Sequence, residues 1–176
     1  QRFTPGKLNE IQTKLENNRR TLEAMPQGVW GNLTTIWQDL WDLRAEISVK
    51  EIEFNTKFDQ ALRASTSMLN EAVKNKQREM EFPGENEKKQ VQKIDVDFWS
   101  NGELGKYEER IRSIKTRLER GENDMSFTIE NLDATLDQIA KESPELANII
   151  IAAGNNVAAS QIRFDMAEIG ANVLLD

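Results

Sequence analysis

Residues 143–176 read SPELANIIIAAGNNVAASQIRFDMAEIGANVLLD, and this stretch decides the fold. Ser143 can cap a helix, because its hydroxyl accepts one of the four unpaired N–H groups at a helix start. Pro144 follows at the position where a missing N–H does no harm. Leu146, Ile150, Ala153, Val157, Phe164, Ala167, Ala171 and Leu174 then fall at 3-and-4 spacing. Ile151, Ala158, Ile162, Ile169 and Val173 repeat that spacing on another side. A helix apolar on two sides has neighbours on two sides. The expectation is an inner helix, covered by the more charged segments before it. A transmembrane span is the weaker reading, since Asn155, Asn156, Arg163 and Asp165 would sit near its middle, where polar groups are costly.

The composition agrees with a helical chain. Of 176 residues, 30% are charged and 7% aromatic, with few prolines and glycines, which suits long amphipathic helices. No alternating Val/Ile/Thr/Tyr run marks a clear strand. The net charge of −7 argues against a nucleic-acid partner, whose phosphates call for a basic surface. The chain has no cysteine and no histidine, so disulfides, thiol nucleophiles and the usual zinc ligands are excluded. The commonest general base near neutral pH is missing too. The expected activity is non-enzymatic, with no cofactor and no metal. Gln1 in place of Met reads as a processed or cut end.

Outward from the last helix, the chain reads as one all-α domain over 1–176, an elongated bundle of three long antiparallel helices. Residues 1–6 are expected to fray. Thr4 and Pro5 start a first helix over about 5–25, with Leu8, Ile11, Leu15, Leu22 and Met25 on a seam and Asn18 in its one polar slot. Asn18 can fix the register or lie partly exposed. Pro26-Gln27-Gly28 breaks the pattern. The second helix is expected over about 29–80. Its Trp37 and Trp41 follow Trp30 by seven and eleven residues, within about 20° of one line. That stripe reads first as bundle core and otherwise as a docking face, since tryptophan is enriched at binding hot spots. Residues 74–99 read as a flexible connection or small appendage, rich in Lys, Glu, Gln and Asn with a turn signal at Phe82-Pro83-Gly84. Ser100 and Glu103 form a capping box for a third helix over about 101–142. A helix of that length spans about 60 Å. Leu104, Tyr107, Ile111, Ile114, Leu118, Met125, Leu132 and Ile139 line its seam, Gly121 marks a bend or close approach, and Glu108 and Arg112 pair on its surface.

Chemistry-bearing motifs are scarce. Glu108-Glu109, Asp133 and Asp137 could form an acid/base or metal pair, but read better as solvated helix faces. Gly154-Asn155-Asn156 permits close helix packing or hydrogen bonds across a buried seam. For partner contact the candidates are Phe82, Pro83, Phe98, Trp99 and Trp30, at the bundle ends.

In order along the chain, several features resemble the TrbJ-type conjugal transfer proteins, minor pilus proteins of type IV secretion systems. They are Met25-Pro26-Gln27 with Trp30, Phe82-Pro83-Gly84, Arg117, Gly121, Asp124, Leu132, Leu136, Ser143 and the run from Ala152 to Ala159. The likeness runs from about residue 8 to 170. It implies a three-helix bundle with a small appendage, found in the periplasm or on the extracellular pilus after signal-peptide removal. It also implies adhesion or structural contacts with the major pilin, inner-membrane channel proteins and a recipient cell, allows a homo-oligomer, and implies no enzymatic activity. A sensor bundle, a secreted effector or a toxin's coiled-coil segment is the alternative.

Overall fold

The computed structural model describes residues 2–24, 29–83 and 89–175. The chain is predominantly helical, in the order α1 (Lys7–Ala24), α2 (Val29–Lys74), β1 (Gln77–Pro83), β2 (Lys89–Asp95), α3 (Val96–Trp99), α4 (Glu103–Gly121), α5 (Ile129–Glu142) and α6 (Glu145–Leu175). It divides into two compact units, Gln1–Ala61 with Leu118–Ala134, and Leu62–Arg117 with Thr135–Asp176. The expected break at Pro26-Gln27-Gly28 lies outside the described residues.

In the first unit, α1 and α2 run antiparallel. Lys14 of α1 meets Asp39 of α2 at 2.6 Å, Lys7 meets Glu46, and Asn32 donates to Asn18 at 3.2 Å. Ile11, Ile36 and Leu43 form the buried seam between the two helices, with Leu40 and Ile47 packed against it. Asn18 is buried in that seam. The lead-in does not fray as expected. Thr4 is buried, the Phe3 ring meets Phe54 edge-on at 5.7 Å, and the Arg2 guanidinium stacks on Phe54 and donates to the Glu122 carbonyl at 3.2 Å. The apolar ring and the cation together tie these residues down.

The expected third helix is two helices. Gly121 ends α4, and Phe127 folds back against it so closely that a Cβ at 121 would lie 2.7 Å from the ring. Asp124 accepts from the Ser126 amide at 2.8 Å, a side-chain turn that competes with helix. Asn131 accepts from the Thr128 amide and so caps the start of α5. Met125, expected on the seam, is exposed in this turn.

In the second unit, α4 and α5 are antiparallel, held by Arg110 to Glu142 and by Arg117 to Gln138 at 2.9 Å. The stretch read as a flexible connection or small appendage contains an antiparallel β-hairpin, where no strand was expected. Met80 lies opposite Gln92 and Arg78 opposite Ile94 on one face, with Glu79 opposite Lys93 on the other. The Met80 thioether packs against Gly154 of α6, where a Cβ would come within 3.2 Å of it. Asn156 donates to the Trp99 carbonyl at 2.8 Å. Gly154 therefore supplies room, and Asn156 holds α3 against α6.

The inner-helix expectation holds for only part of α6. Leu146, Ile149, Ile150, Ala153 and Val157 are buried, while Ile151 is exposed and every described side chain from Ile162 to Ala171 is open to solvent. Among the described residues, the chain covers one side of the first half of α6 and leaves Ile162 to Ala171 uncovered. Among the described residues, no helix is long and apolar enough to cross a membrane.

Candidate protein-binding surface

The α1–α2 pair has two unlike edges. One turn of helix takes 3.6 residues, so each step along α1 rotates a side chain by about 100°. Lys7 and Lys14 point to the edge where Glu46 and Asp39 receive them. Leu8, Leu15 and Leu22, on the far side of the Ile11–Asn18 seam, fall on the opposite edge. On α2, Trp37 precedes Asp39 by two residues and so turns away from the ion pairs. Trp30 and Trp41 share its line, and Leu33 lies between that line and the seam.

Both edges follow from local chemistry. Along the polar edge, the Lys7 and Lys50 ammonium groups hydrogen-bond to Glu46 and hold its carboxyl below the usual range. The hydrogen bond to Asp39 holds the Lys14 ammonium above its usual range. Asn17, Thr21, Asn32 and Thr35 continue this edge as an open polar groove.

The other edge is apolar and open. Trp30, Trp37 and Trp41 are 78%, 63% and 52% exposed, and the three leucines 44–49%. Trp37 and Trp41 meet edge-to-face at 6.1 Å, and the Arg44 guanidinium lies 5.4 Å from the Trp41 ring centre. Ring contacts of this kind fix the orientation of the indoles. The tryptophan stripe is therefore not bundle core. The seam of α2 instead uses Ile36, Leu43, Phe54 and Phe58, about 120° round the helix.

The other candidate contact residues scatter. Phe82 is buried at 5% exposure, so it belongs to the core and not to an open patch. It sits on the same face of β1 as Met80. Pro83 closes β1, and its side chain lies outside the described residues. Phe98 is 72% exposed and meets Trp99, which is partly buried, edge-to-face at 5.4 Å. Trp30 belongs to the first unit, and Phe98 and Trp99 to the second.

Two of the carboxylate candidates are ion-paired. Glu108 is buried and meets Lys76 at 3.1 Å rather than Arg112, and Asp133 meets Lys57 at 2.7 Å. Among the described residues, no group of three or more carboxylates could hold a metal ion. The capping box at Ser100 is half formed. The Ser100 hydroxyl accepts from the Leu104 amide at 3.4 Å, and Glu103 turns to Lys106.

No family model, no curated protein and no solved structure matches the chain.

Proposed function

We propose that the chain is a non-enzymatic subunit of a larger assembly and acts through protein–protein contacts. The observation that carries this reading is the open line of Trp30, Trp37 and Trp41 beside Leu8, Leu15 and Leu22. Scattered exposed apolar residues are ordinary, but a contiguous patch with three tryptophans is the composition of a binding hot spot.

The assembly proposed is a type IV secretion or conjugation apparatus, with the chain as a minor pilus component in the periplasm or on the pilus. The ordered features from Met25 to Ala159 support it. A three-helix bundle of long antiparallel helices, with the β-hairpin as its appendage, would be the scaffold. The test is to delete the gene and score pilus assembly and plasmid transfer. Transfer should fall, and should return with the wild-type gene but not with a Trp30→Ala/Trp37→Ala/Trp41→Ala version. Unchanged transfer after deletion removes the apparatus. Full rescue by the triple variant removes the tryptophan edge as the contact.

A sensor, effector or toxin segment is the second reading. The same open edge favours it equally, because such modules also work by docking helices. A membrane span or catalytic domain in the sequence preceding Gln1 would favour it, and a signal peptide there the first.

A further inference from the structure

Three features stand outside the scaffold: the polar groove beside Asn18, the open half of α6, and the tryptophan–leucine edge of the α1–α2 pair. Three properties of the last specify an occupant.

The first is area. A fully exposed aromatic side chain presents about 150–250 Å², and the open fractions of the three tryptophans and their leucine neighbours come to roughly 700 Å² per copy. A standard interface takes about 800 Å² from each partner. The second is charge. Beside the tryptophans, α2 carries Thr34, Gln38, Ala45 and Arg44, the last placed against Trp41, and beside the leucines α1 carries Arg19 and Glu16, paired with each other at 3.3 Å. The opposite edge holds Lys7, Glu10, Lys14, Asp39, Asp42 and Glu46. When two apolar edges meet, the charges beside them are therefore already engaged within their own copy. The third is relief. The tryptophans of α2 form the high row, 52–78% exposed, and the leucines of α1, each seven residues from the next, the low row, 44–49% exposed. A two-fold axis sets the high row of one copy against the low row of the other, which makes the edge complementary to itself.

We propose that this edge is closed by the same edge of a second copy, so that two α1–α2 pairs form a four-helix interface. This rests on reading the edge as a docking surface and names its partner. An interfacial membrane helix would carry lysine and arginine beside its apolar face. Here Arg44 is held against Trp41, and Arg19 beside the leucines is paired with Glu16.

The experiment is sedimentation velocity on the full chain from about 1 to 100 µM, a range that captures micromolar association of an interface this size. The expected result is a reversible species of twice 20.2 kDa. Trp37→Glu/Trp41→Glu should abolish it while the circular dichroism stays unchanged. Because the chain has no cysteine, a single Thr34→Cys also reports alone. Mild oxidation should link copies through Thr34→Cys and not through Asp42→Cys on the polar edge. A monomer at every concentration overturns the pairing, as does a dimer indifferent to both substitutions. Monomeric protein that binds phosphatidylcholine vesicles through these tryptophans overturns it in favour of a lipid surface. Monomeric protein whose tryptophan variants still block plasmid transfer overturns self-pairing alone and leaves the docking reading in place.

Discussion

The pairs α1–α2 and α4–α5 are built on the same 3-and-4 spacing of apolar residues, yet they end differently. Along α4, Leu104, Tyr107, Ile111, Ile114 and Leu118 are all buried, and Leu132, Thr135 and Ile139 are buried along α5. Along α1, Ile11 and Asn18 are buried and Leu8, Leu15 and Leu22 are half open, with three exposed tryptophans beyond them on α2. Periodicity marks a face that gains from leaving water. It does not say whether the chain supplies the cover.

The contrast can be broken by substitution. The largest effect is expected inside the β-hairpin. Phe82→Ala removes a buried ring and should lower stability by about 3–5 kcal/mol. Phe98→Ala removes an exposed one and should change it by less than about 0.5 kcal/mol. Urea denaturation of both variants decides this, and equal midpoints would show that the two rings share one environment. Next, Ile111→Ala should cost about 2–5 kcal/mol. Leu15→Ala, already half in water, should cost no more than about 1 kcal/mol at protein concentrations below any association. Matching losses would erase the distinction between the two helix pairs.

The smallest effect is electrostatic. Burial, then the Glu142 and Glu71 carboxylates, push the Tyr107 phenol up to about 12, against the opposing pull of Arg110. Its folded value lies above its unfolded one, so this contribution to stability is complete below about pH 10. It is lost as the pH rises toward the folded value. Tyr107 is the only tyrosine, so ultraviolet absorbance follows it alone. Its midpoint should lie near 12 in the native protein and drop toward the ordinary value in denaturant. A native midpoint at the ordinary value would place the ring in solvent.

Much of the helical layout was legible in the sequence, because α1, α2 and α4 each carry a long repeat of the right period. The β-hairpin was not. Arg78 to Phe82 does alternate, but its outer positions, Glu79 and Glu81, are charged, and a charged, low-apolar stretch reads as mobile. The break after Gly121 was half legible. The glycine stands out in the seam, while the turn depends on Asp124 and on Phe127 packing against Gly121, contacts that no periodicity reveals. For α6, two apolar sides promised two neighbours. Among its described residues, Leu146, Ile149, Ile150, Ala153 and Val157 are buried, and Ile162, Phe164, Met166 and Ile169 are exposed. The tryptophans could not be assigned from spacing at all, since core and docking stripes share one period. Their position relative to Lys14–Asp39 settles the edge on which they lie.

The most direct test uses those tryptophans as their own probe. With Trp99→Phe, emission comes from Trp30, Trp37 and Trp41 alone. At nanomolar concentration the emission should be red-shifted and readily quenched by acrylamide, and it should move to the blue as the protein is concentrated and the edge closes. Blue, protected emission that stays the same at every concentration would mean that these indoles sit in the chain's own core, contradicting both the open edge and its pairing.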